Sequence, residues 1–349
     1  MRQMFRPLAS RWLVRLAAIA PLALASLVLP ACSTNPATGR QSLTAFGWDW
    51  DKQVGLESGP QMTAEFGGAT PDPVAQAYVQ EVGRKLTDAA IKQAYAKVPD
   101  MQWNYTLLDS QVLNAFALPG GQVYFSRGLA DKLENEAQMA GVLGHEVGHV
   151  IARHGAQRMT QQLGLNALVI AGTVAVGVAD EDSTFRKYGQ YGVPALAVGG
   201  NVVMLSYGRD EEMEADALGM QYMAESGWNP AAQRRVMQIL GELSGAGSTP
   251  EWLSTHPTSE TRIRRIDELL RGVFAGTQNN PDFVLNAPAY KTRMLDRLAK
   301  LPPARHGVSG ARLDTPGTEP MVAAGAFELS NPVTWCGHCR AEAARRAAH

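Results

Sequence analysis

Hydrophobic residues recur at helical spacing in several parts of the chain. From Pro73 to about Ala96 they mark one face of an amphipathic helix. The stretch "GVLGHEVGHVIARHGAQR", residues 141–158, repeats this spacing and predicts a helix over about 134–156. Further helices are predicted in four places: a segment closed by Gly227, a segment opened by Asn229-Pro230, residues 259–271, and residues near 289–301.

Two shorter segments have the composition of β-strands. They are "MQWNYTLLD" and "QVYFS", and between them "NAFALPGG" carries the Gly120-Gly121 pair that marks a turn. The pattern therefore predicts an α+β fold that is mostly helical. A small antiparallel or mixed sheet precedes the helix of residues 134–156.

Composition narrows the class of protein. The 349 residues carry a formal net charge of −1, which gives no indication of a nucleic-acid partner. Hydrophobic residues make up 45% and charged residues 19%, as is usual for a globular protein that buries one sizeable core.

The first residues have the pattern of a secretory signal. Arginines precede an uncharged run from Leu16 to Leu29, and no acidic residue occurs before Asp49. The run ends in "LVLPAC", which resembles a bacterial lipobox and implies lipidation of Cys32. Ser33 then favours the periplasmic side of the outer membrane, with the lipid as the membrane anchor. An uncleaved membrane anchor is the alternative.

These patterns divide the chain into four parts. We expect a lipoprotein signal peptide at residues 1–31 and a polar, Gly- and Pro-punctuated tether at 32–60. A catalytic domain at 61–275 and a loosely packed C-terminal tail at 276–349 would follow.

Two histidines of the helix at 134–156 are spaced to bind one metal ion. His149 follows His145 by one turn and lies about 40° further around the axis, so the two imidazoles share a face. This spacing suits zinc, and Glu146 is placed to reach a zinc-bound water. His154, nine positions after His145 on the same predicted helix, points about 180° away from it and cannot join the same ion, which predicts a structural role.

A catalytic zinc site needs a third protein ligand, and "EEMEAD" offers one. Glu212 and Asp216 lie one turn apart on a helical face, and Ala215 allows close approach of another helix. We assign Glu212 as the third ligand and Asp216 as the partner of the free N–H of a metal-bound histidine. The alternative is an acidic, solvated helix start that complements the helix dipole.

The segments "NAFALPGG", "GHEVGHVIARH", "EEMEAD" and "STHPTSETRIRRI" resemble, in this order, the zinc metallopeptidases of the HtpX, BepA and LoiP type, peptidase family M48. The resemblance covers roughly residues 35–272. It implies a compact gluzincin-type fold with one catalytic Zn²⁺ held by His145, His149 and Glu212, and Glu146 as general base. It also implies a zinc endopeptidase acting on unfolded or misassembled envelope polypeptides.

The same resemblance places His256 near the metal. It is our candidate for stabilising the oxyanion, and it can also act as a self-inhibiting fourth ligand; Arg262 can share the oxyanion role. The alternative for His256 is an ordinary hydrogen-bonded loop histidine.

Substrate contacts are expected along "NAFALPGG". Asn114, Ala115, Phe116 and Ala117 would form a rim strand to which an extended peptide adds as a further strand. An ordinary core hairpin is the alternative.

The uncharged stretches Leu163–Ala179 and Tyr188–Gly208 favour a lid over the cleft rather than a membrane span.

The C-terminal "TWCGHC" contains Cys336 and Cys339, for which we predict a simple disulfide. A thiol oxidoreductase using this pair is one rival function. The other is a periplasmic chaperone or assembly factor with a latent metal site. The oligomeric state is left open by the sequence.

Overall fold

The computed structural model describes residues 31–175, 207–245, 250–257 and 260–305, without the side chains of residues 31–32, 165–175 and 245. The first described element is a β-hairpin of β1 (Ala31–Thr34) and β2 (Gln41–Thr44). Helix α1 (Trp48–Glu65) and helix α2 (Pro73–Gln93) follow. Pro73 opens α2, and the Asp72 carboxylate accepts the N–H of Ala75, as in a typical N-cap.

A three-stranded mixed sheet comes next. Strands β3 (Asn104–Leu108), β4 (Ala115–Leu118) and β5 (Gln122–Ser126) are ordered β3-β5-β4, with β3 parallel and β4 antiparallel to β5. The predicted glycine turn joins β4 to β5, and both Gly120 and Gly121 have positive φ. The segment "NAFALPGG" thus supplies a strand at the sheet edge as well as the turn.

Helices make up most of the rest. They are α3 (Arg127–Ala130), α4 (Glu136–Ile151), α5 (His154–Ala175), α6 (Arg209–Glu225), α7 (Ala231–Gly245), α8 (Trp252–Thr255) and α9 (Glu260–Arg271). A 3-10 turn (Ala275–Thr277), α10 (Ala287–Tyr290), a π-helical turn (Lys291–Leu295) and α11 (Asp296–Leu298) complete the described chain. The predicted α+β class is confirmed.

The main core lies between the sheet and helices α2, α4, α6 and α7. Every residue of α4 is buried, and the largest core side chains include Trp228 and Trp252. The helix that carries the paired histidines is therefore the central element of the domain, which fixes its position against its neighbours.

The expected tether at residues 32–60 is wrong as a description of this segment. Helix α1 packs on the sheet: the Tyr124 hydroxyl donates to the Gly59 carbonyl over 3.1 Å, and Met62 packs in a cluster with Phe116 and Tyr124. A Cβ added to Gly55 would lie 2.2 Å from the Pro119 carbonyl oxygen. The glycines that suggested a loop instead permit close packing of the helix.

The expected loose packing of the tail is also wrong for residues 276–305. Tyr290, Met294 and Leu298 are buried, and the Tyr290 hydroxyl donates to the Ala130 carbonyl over 2.7 Å. The helix predicted near 289–301 is the source of these contacts. Residues 306–349, with Cys336 and Cys339, lie outside the described residues, as do residues 1–30.

The uncharged stretches are described only in part. Helix α5 covers Leu163–Ala175, and most of residues 188–208 lie outside the described chain, so the lid stays a prediction. Among the helices that the structure describes, none combines the length and the apolar character needed to cross a membrane.

Candidate metal centre

Helices α4 and α6 cross closely because small residues line their contact. A Cβ added to Gly148 would lie 3.2 Å from the Ala215 carbonyl oxygen, so almost no space separates the two backbones there. This confirms that Ala215 lies where another helix approaches. The crossing directs the histidine-bearing face of α4 towards the face of α6 that carries Glu212 and Asp216.

Four buried side chains converge at this crossing: His145, His149, Glu212 and His256, here called the metal group. One ligand atom from each lies within 4.8 Å of all the others. The Nε2 atoms of His145 and His149 are 3.0 Å apart, and Glu212 oxygens approach them to 3.5 and 3.4 Å respectively. The Nδ1 atom of His256 lies 2.9 Å from Glu212 Oε1 and 3.2 Å from His145 Nε2.

The chemistry of these donors fits a divalent cation. The Asp216 carboxylate lies 3.0 Å from Nδ1 of His145, so it accepts that N–H and leaves the Nε2 lone pair directed into the group. Burial opposes charge on His145, yet Asp216 and Glu212 raise its pKa to about 9, so the two carboxylates stabilise positive charge here, which a bound cation would supply in place of the Nε2 proton. Burial lowers the pKa of His149 well below its usual range, which keeps it neutral as a metal ligand must be.

Arg262 holds the carboxylates of α6 in place. Its guanidinium donates to both Asp216 oxygens at 2.7 and 2.8 Å and lies 2.6 Å from Glu212 Oε2. Burial raises the pKa of Glu212, but the charges of His256 and Arg262 outweigh burial and hold this pKa well below its usual range. These contacts favour an orienting role for Arg262 over the expected oxyanion role, because its guanidinium is engaged by Asp216 and Glu212.

Glu146 lies beside the metal group and has two polar neighbours. The indole N–H of Trp252 donates to Glu146 Oε1 over 3.2 Å, and Nε2 of His256 lies 3.5 Å from the same oxygen. Burial raises the pKa of Glu146 despite the nearby charges of His256 and His145. A carboxylate in such surroundings can accept a proton from water more readily than an exposed one.

The predicted position of His154 is wrong. Helix α4 ends at Ile151 rather than near 156, and Arg153 has a left-handed φ of 59°, so the chain turns before α5 begins at His154. This turn returns His154 to within 2.8 Å of His149, measured between their Nδ1 atoms. A continuous helix would have carried the imidazole away.

The strand expected to bind substrate is at the sheet edge beside this centre. Within the described residues β4 pairs with β5 alone, and both polar atoms of the buried Asn114 side chain have no hydrogen-bond partner. A recess beside the C-terminal end of β4 reaches His149. Its other lining residues are Asp51, Ala117, Leu118, Pro119, Val150, Arg153, Gly155, Ala156 and Tyr207.

The sequence analysis missed two aromatic residues of the centre. Tyr207 stacks on His149 with ring centroids 3.9 Å apart, and Trp252 stacks on His256 at 4.9 Å. Trp252 lies one turn before His256, at the spacing of a shared helical face. That spacing was the one available clue.

Comparisons with known proteins agree with the geometry. The sequence model of "Peptidase family M48" matches residues 73–270. The chain is 25% identical over 238 residues to "Mitochondrial metalloendopeptidase OMA1" of Schizosaccharomyces pombe, covering 67% of this chain and 65% of that protein. It is 29% identical over 212 residues to "Beta-barrel assembly-enhancing protease" of Escherichia coli K12, covering 60% and 42%. This chain therefore spans less than two thirds of either relative.

The family match includes both helices that form the centre. It extends from the first residue of α2 almost to the end of α9, and therefore includes His145, Glu146, His149, Glu212 and His256. The metal of M48 metallopeptidases is zinc, and the metal group is able to hold such an ion. On this match the chain belongs to peptidase family M48.

Proposed function

We propose that this protein is a zinc-dependent endopeptidase that hydrolyses misfolded or misassembled cell-envelope polypeptides. The observation that carries the proposal is the convergence of His145, His149 and Glu212 beside the buried carboxylate of Glu146. Three ligands with one further position for water are the usual arrangement of a catalytic zinc site.

In this proposal Glu146 performs the proton transfers. Bound zinc would polarise the scissile carbonyl and make its water acidic enough to lose a proton near neutral pH. Glu146 accepts that proton and then donates it to the leaving amine, for which its raised pKa is suited. Trp252 holds one Glu146 oxygen by its indole N–H and so orients the carboxylate.

The substrate would bind along the edge of β4 with which no described strand pairs. An extended peptide can pair with the backbone of residues 115–117, which places its carbonyl groups near His149 at the end of the recess. Asn114 supports this proposal, because its buried amide carries a donor and an acceptor that have no partner among the described residues. A bound peptide backbone can satisfy both.

His256 would control access to the centre. Its Nδ1 lies among the ligand atoms and its Nε2 faces Glu146, so the imidazole fills space that water and substrate need. We propose that substrate binding moves His256 outward, where its N–H can donate to the oxyanion. The same contacts favour the second candidate function, a chaperone or assembly factor whose metal site is latent.

The cellular setting is part of the proposal. Some relatives are named for enhancing β-barrel assembly, and the lipobox-like "LVLPAC" supports lipidation of Cys32. We therefore infer an anchor on the periplasmic side of the outer membrane and envelope polypeptides as substrates. Loss of membrane association in Cys32→Ser, with the folded protein still secreted, tests the anchor.

The test of the reaction uses the purified mature chain and unfolded casein. We expect cleavage that a zinc chelator abolishes and added zinc restores, and no cleavage by Glu146→Gln. The proposed endopeptidase activity would be contradicted if zinc-loaded wild-type protein cleaved neither casein nor any of a panel of unfolded peptides. In cells, full complementation by Glu146→Gln would favour the chaperone.

A further inference from the structure

The two histidine ligands of α4 have different partners for their second nitrogen. His145 has the Asp216 carboxylate 3.0 Å from its Nδ1, which is the partner expected from the sequence. His149 instead has an imidazole: its Nδ1 lies 2.8 Å from Nδ1 of His154. Only one of these two nitrogens can carry the shared hydrogen, so the contact requires a defined pair of tautomers.

The charge of the Glu214 carboxylate favours one tautomer of His154. Its oxygen lies 3.6 Å from Nε2 of His154, on the side opposite His149, which is an ion-pair distance rather than a hydrogen bond. A carboxylate can only accept, so it favours the hydrogen on Nε2 and leaves the Nδ1 lone pair of His154 free to accept from His149. His149 then carries its hydrogen on Nδ1, and its Nε2 lone pair faces the metal group.

We propose that His154 and Glu214 form a relay that positions His149 as a metal ligand. Both are positioning residues, because neither belongs to the metal group. This inference rests on the proposed zinc chemistry but concerns the orientation of one ligand, which can be measured without any substrate. Partners of this kind usually change metal affinity about 10- to 100-fold when removed.

The N-terminal segment completes the relay. Asn35 donates to Glu214 over 2.9 Å, and Arg40 forms an ion pair with the same carboxylate. A second contact holds the turn before His154, since Arg153 donates to Asp51 at 2.6 Å and to the Phe46 carbonyl at 2.8 Å. Residues outside the family match of 73–270 therefore support a ligand inside it.

The first test compares two substitutions of His154 by zinc competition against a chromophoric chelator. His154→Phe keeps a ring but removes the acceptor, and we expect zinc affinity to fall about 10- to 100-fold. His154→Asn places an amide oxygen near the position of Nδ1, and we expect it to recover most of the affinity. If His154→Phe does not fold, the relay is tested by the zinc affinity of His154→Asn and by the tautomers of the wild-type protein.

The second test uses a matched pair on α6. Glu214→Gln removes the charge that faces His154, whereas Glu211→Gln removes a carboxylate that pairs with Arg158 at 2.6 Å and does not contact His154. We expect weaker zinc binding in the first variant and unchanged binding in the second. Equal effects would overturn the relay, since each variant removes one ion pair between α6 and an arginine, and Glu214→Gln alone removes the contact with His154.

Histidine ¹⁵N NMR of the metal-free protein measures the tautomer of each imidazole, which would not change if His154 had a purely structural role. We expect the hydrogen on Nδ1 of His149 and on Nε2 of His154, with the fixed tautomer of His149 lost in His154→Phe. The opposite tautomers in wild-type protein would overturn the inference. Failure of casein cleavage with these tautomers intact would reject the peptidase and leave the relay standing.

Discussion

Gly219 of α6 and Gly144 of α4 meet at the crossing of the two ligand-bearing helices. A Cβ built on Gly219 would lie 2.8 Å from the backbone nitrogen of His145 and 2.9 Å from the Gly144 carbonyl carbon. Both of these atoms belong to helix backbone and cannot move independently. The absence of a side chain at Gly219 therefore allows the ligands on α4 and those on α6 to come close to one another.

Gly219→Ala is expected to separate α4 from α6 and to weaken zinc binding. The added methyl group would force a backbone shift, which typically costs about 1–3 kcal/mol of unfolding free energy. Glu212 would move away from the imidazoles with its helix, so chelator competition should also report lower zinc affinity.

Gly241 provides the matched control. It lies in helix α7, and a Cβ added there meets no atom of the described residues within 4 Å. Gly241→Ala should leave zinc affinity unchanged and raise the unfolding free energy by about 0.5–1 kcal/mol. Equal stability changes in the two variants would show that the crossing is less tight than described.

Arg262→Lys separates the orienting role from the oxyanion role. A lysine can keep the charge near Asp216 and Glu212 but cannot reproduce the two-pronged contact with Asp216. We expect weaker zinc binding and lower stability, both measured before substrate is added. A fall in kcat with zinc affinity and stability intact would instead favour the oxyanion role.

Most of the centre could be predicted because it depends on helical spacing. His145 and His149 share a face in any α-helix, and Glu212 and Asp216 do so for the same reason. The structure brings these two faces together. The pairing across the crossing was predictable because Ala215 offers a small surface and the donor types complement one another.

The parts that could not be predicted depend on backbone turns and on long-range contacts. Arg153 adopts a left-handed conformation although arginine has no preference for it, so nothing local indicated that α4 ends before His154. Helix α1 was hidden for a similar reason. Its glycines suit a loop by composition, and its buried positions are explained only by the sheet on which it packs.

Glu146→Gln should abolish turnover while leaving the zinc site intact. Glutamine keeps the acceptor for the Trp252 indole but cannot take a proton, and loss of a general base usually lowers kcat about 10²- to 10⁴-fold. Zinc content after dialysis should equal that of the wild type. Residual activity close to wild type would remove Glu146 from the reaction.

His256→Ala tests whether this imidazole is a ligand in the resting protein. The Nδ1 contacts of 3.2 Å to His145 and 2.9 Å to Glu212 place it within the metal group. We expect the absorption spectrum of the cobalt-substituted protein to change, because one nitrogen donor is lost, and zinc affinity to fall. An unchanged spectrum would assign His256 to an ordinary loop position.

The buried pair of Asp51 and Arg153 predicts a specific dependence of stability on pH. Burial raises the pKa of Asp51 to about 6, although the Arg153 ion pair acts in the opposite direction. The pKa in the unfolded chain is about 4, so between pH 4 and 6 the folded protein binds a proton that the unfolded chain does not. Stability from this group therefore increases as pH falls from 7 to about 4.

Asp51→Asn isolates this effect because asparagine does not titrate. The difference in unfolding free energy, wild type minus variant, should rise on acidification by about 1.4 kcal/mol per pH unit across that window, on the order of 3 kcal/mol in total. Urea unfolding at several pH values measures it, and contributions of other groups cancel in the difference. A difference that stays flat from pH 7 and falls only near pH 4 would mean that the Arg153 ion pair outweighs burial, and that Asp51 is charged in the folded protein throughout this range.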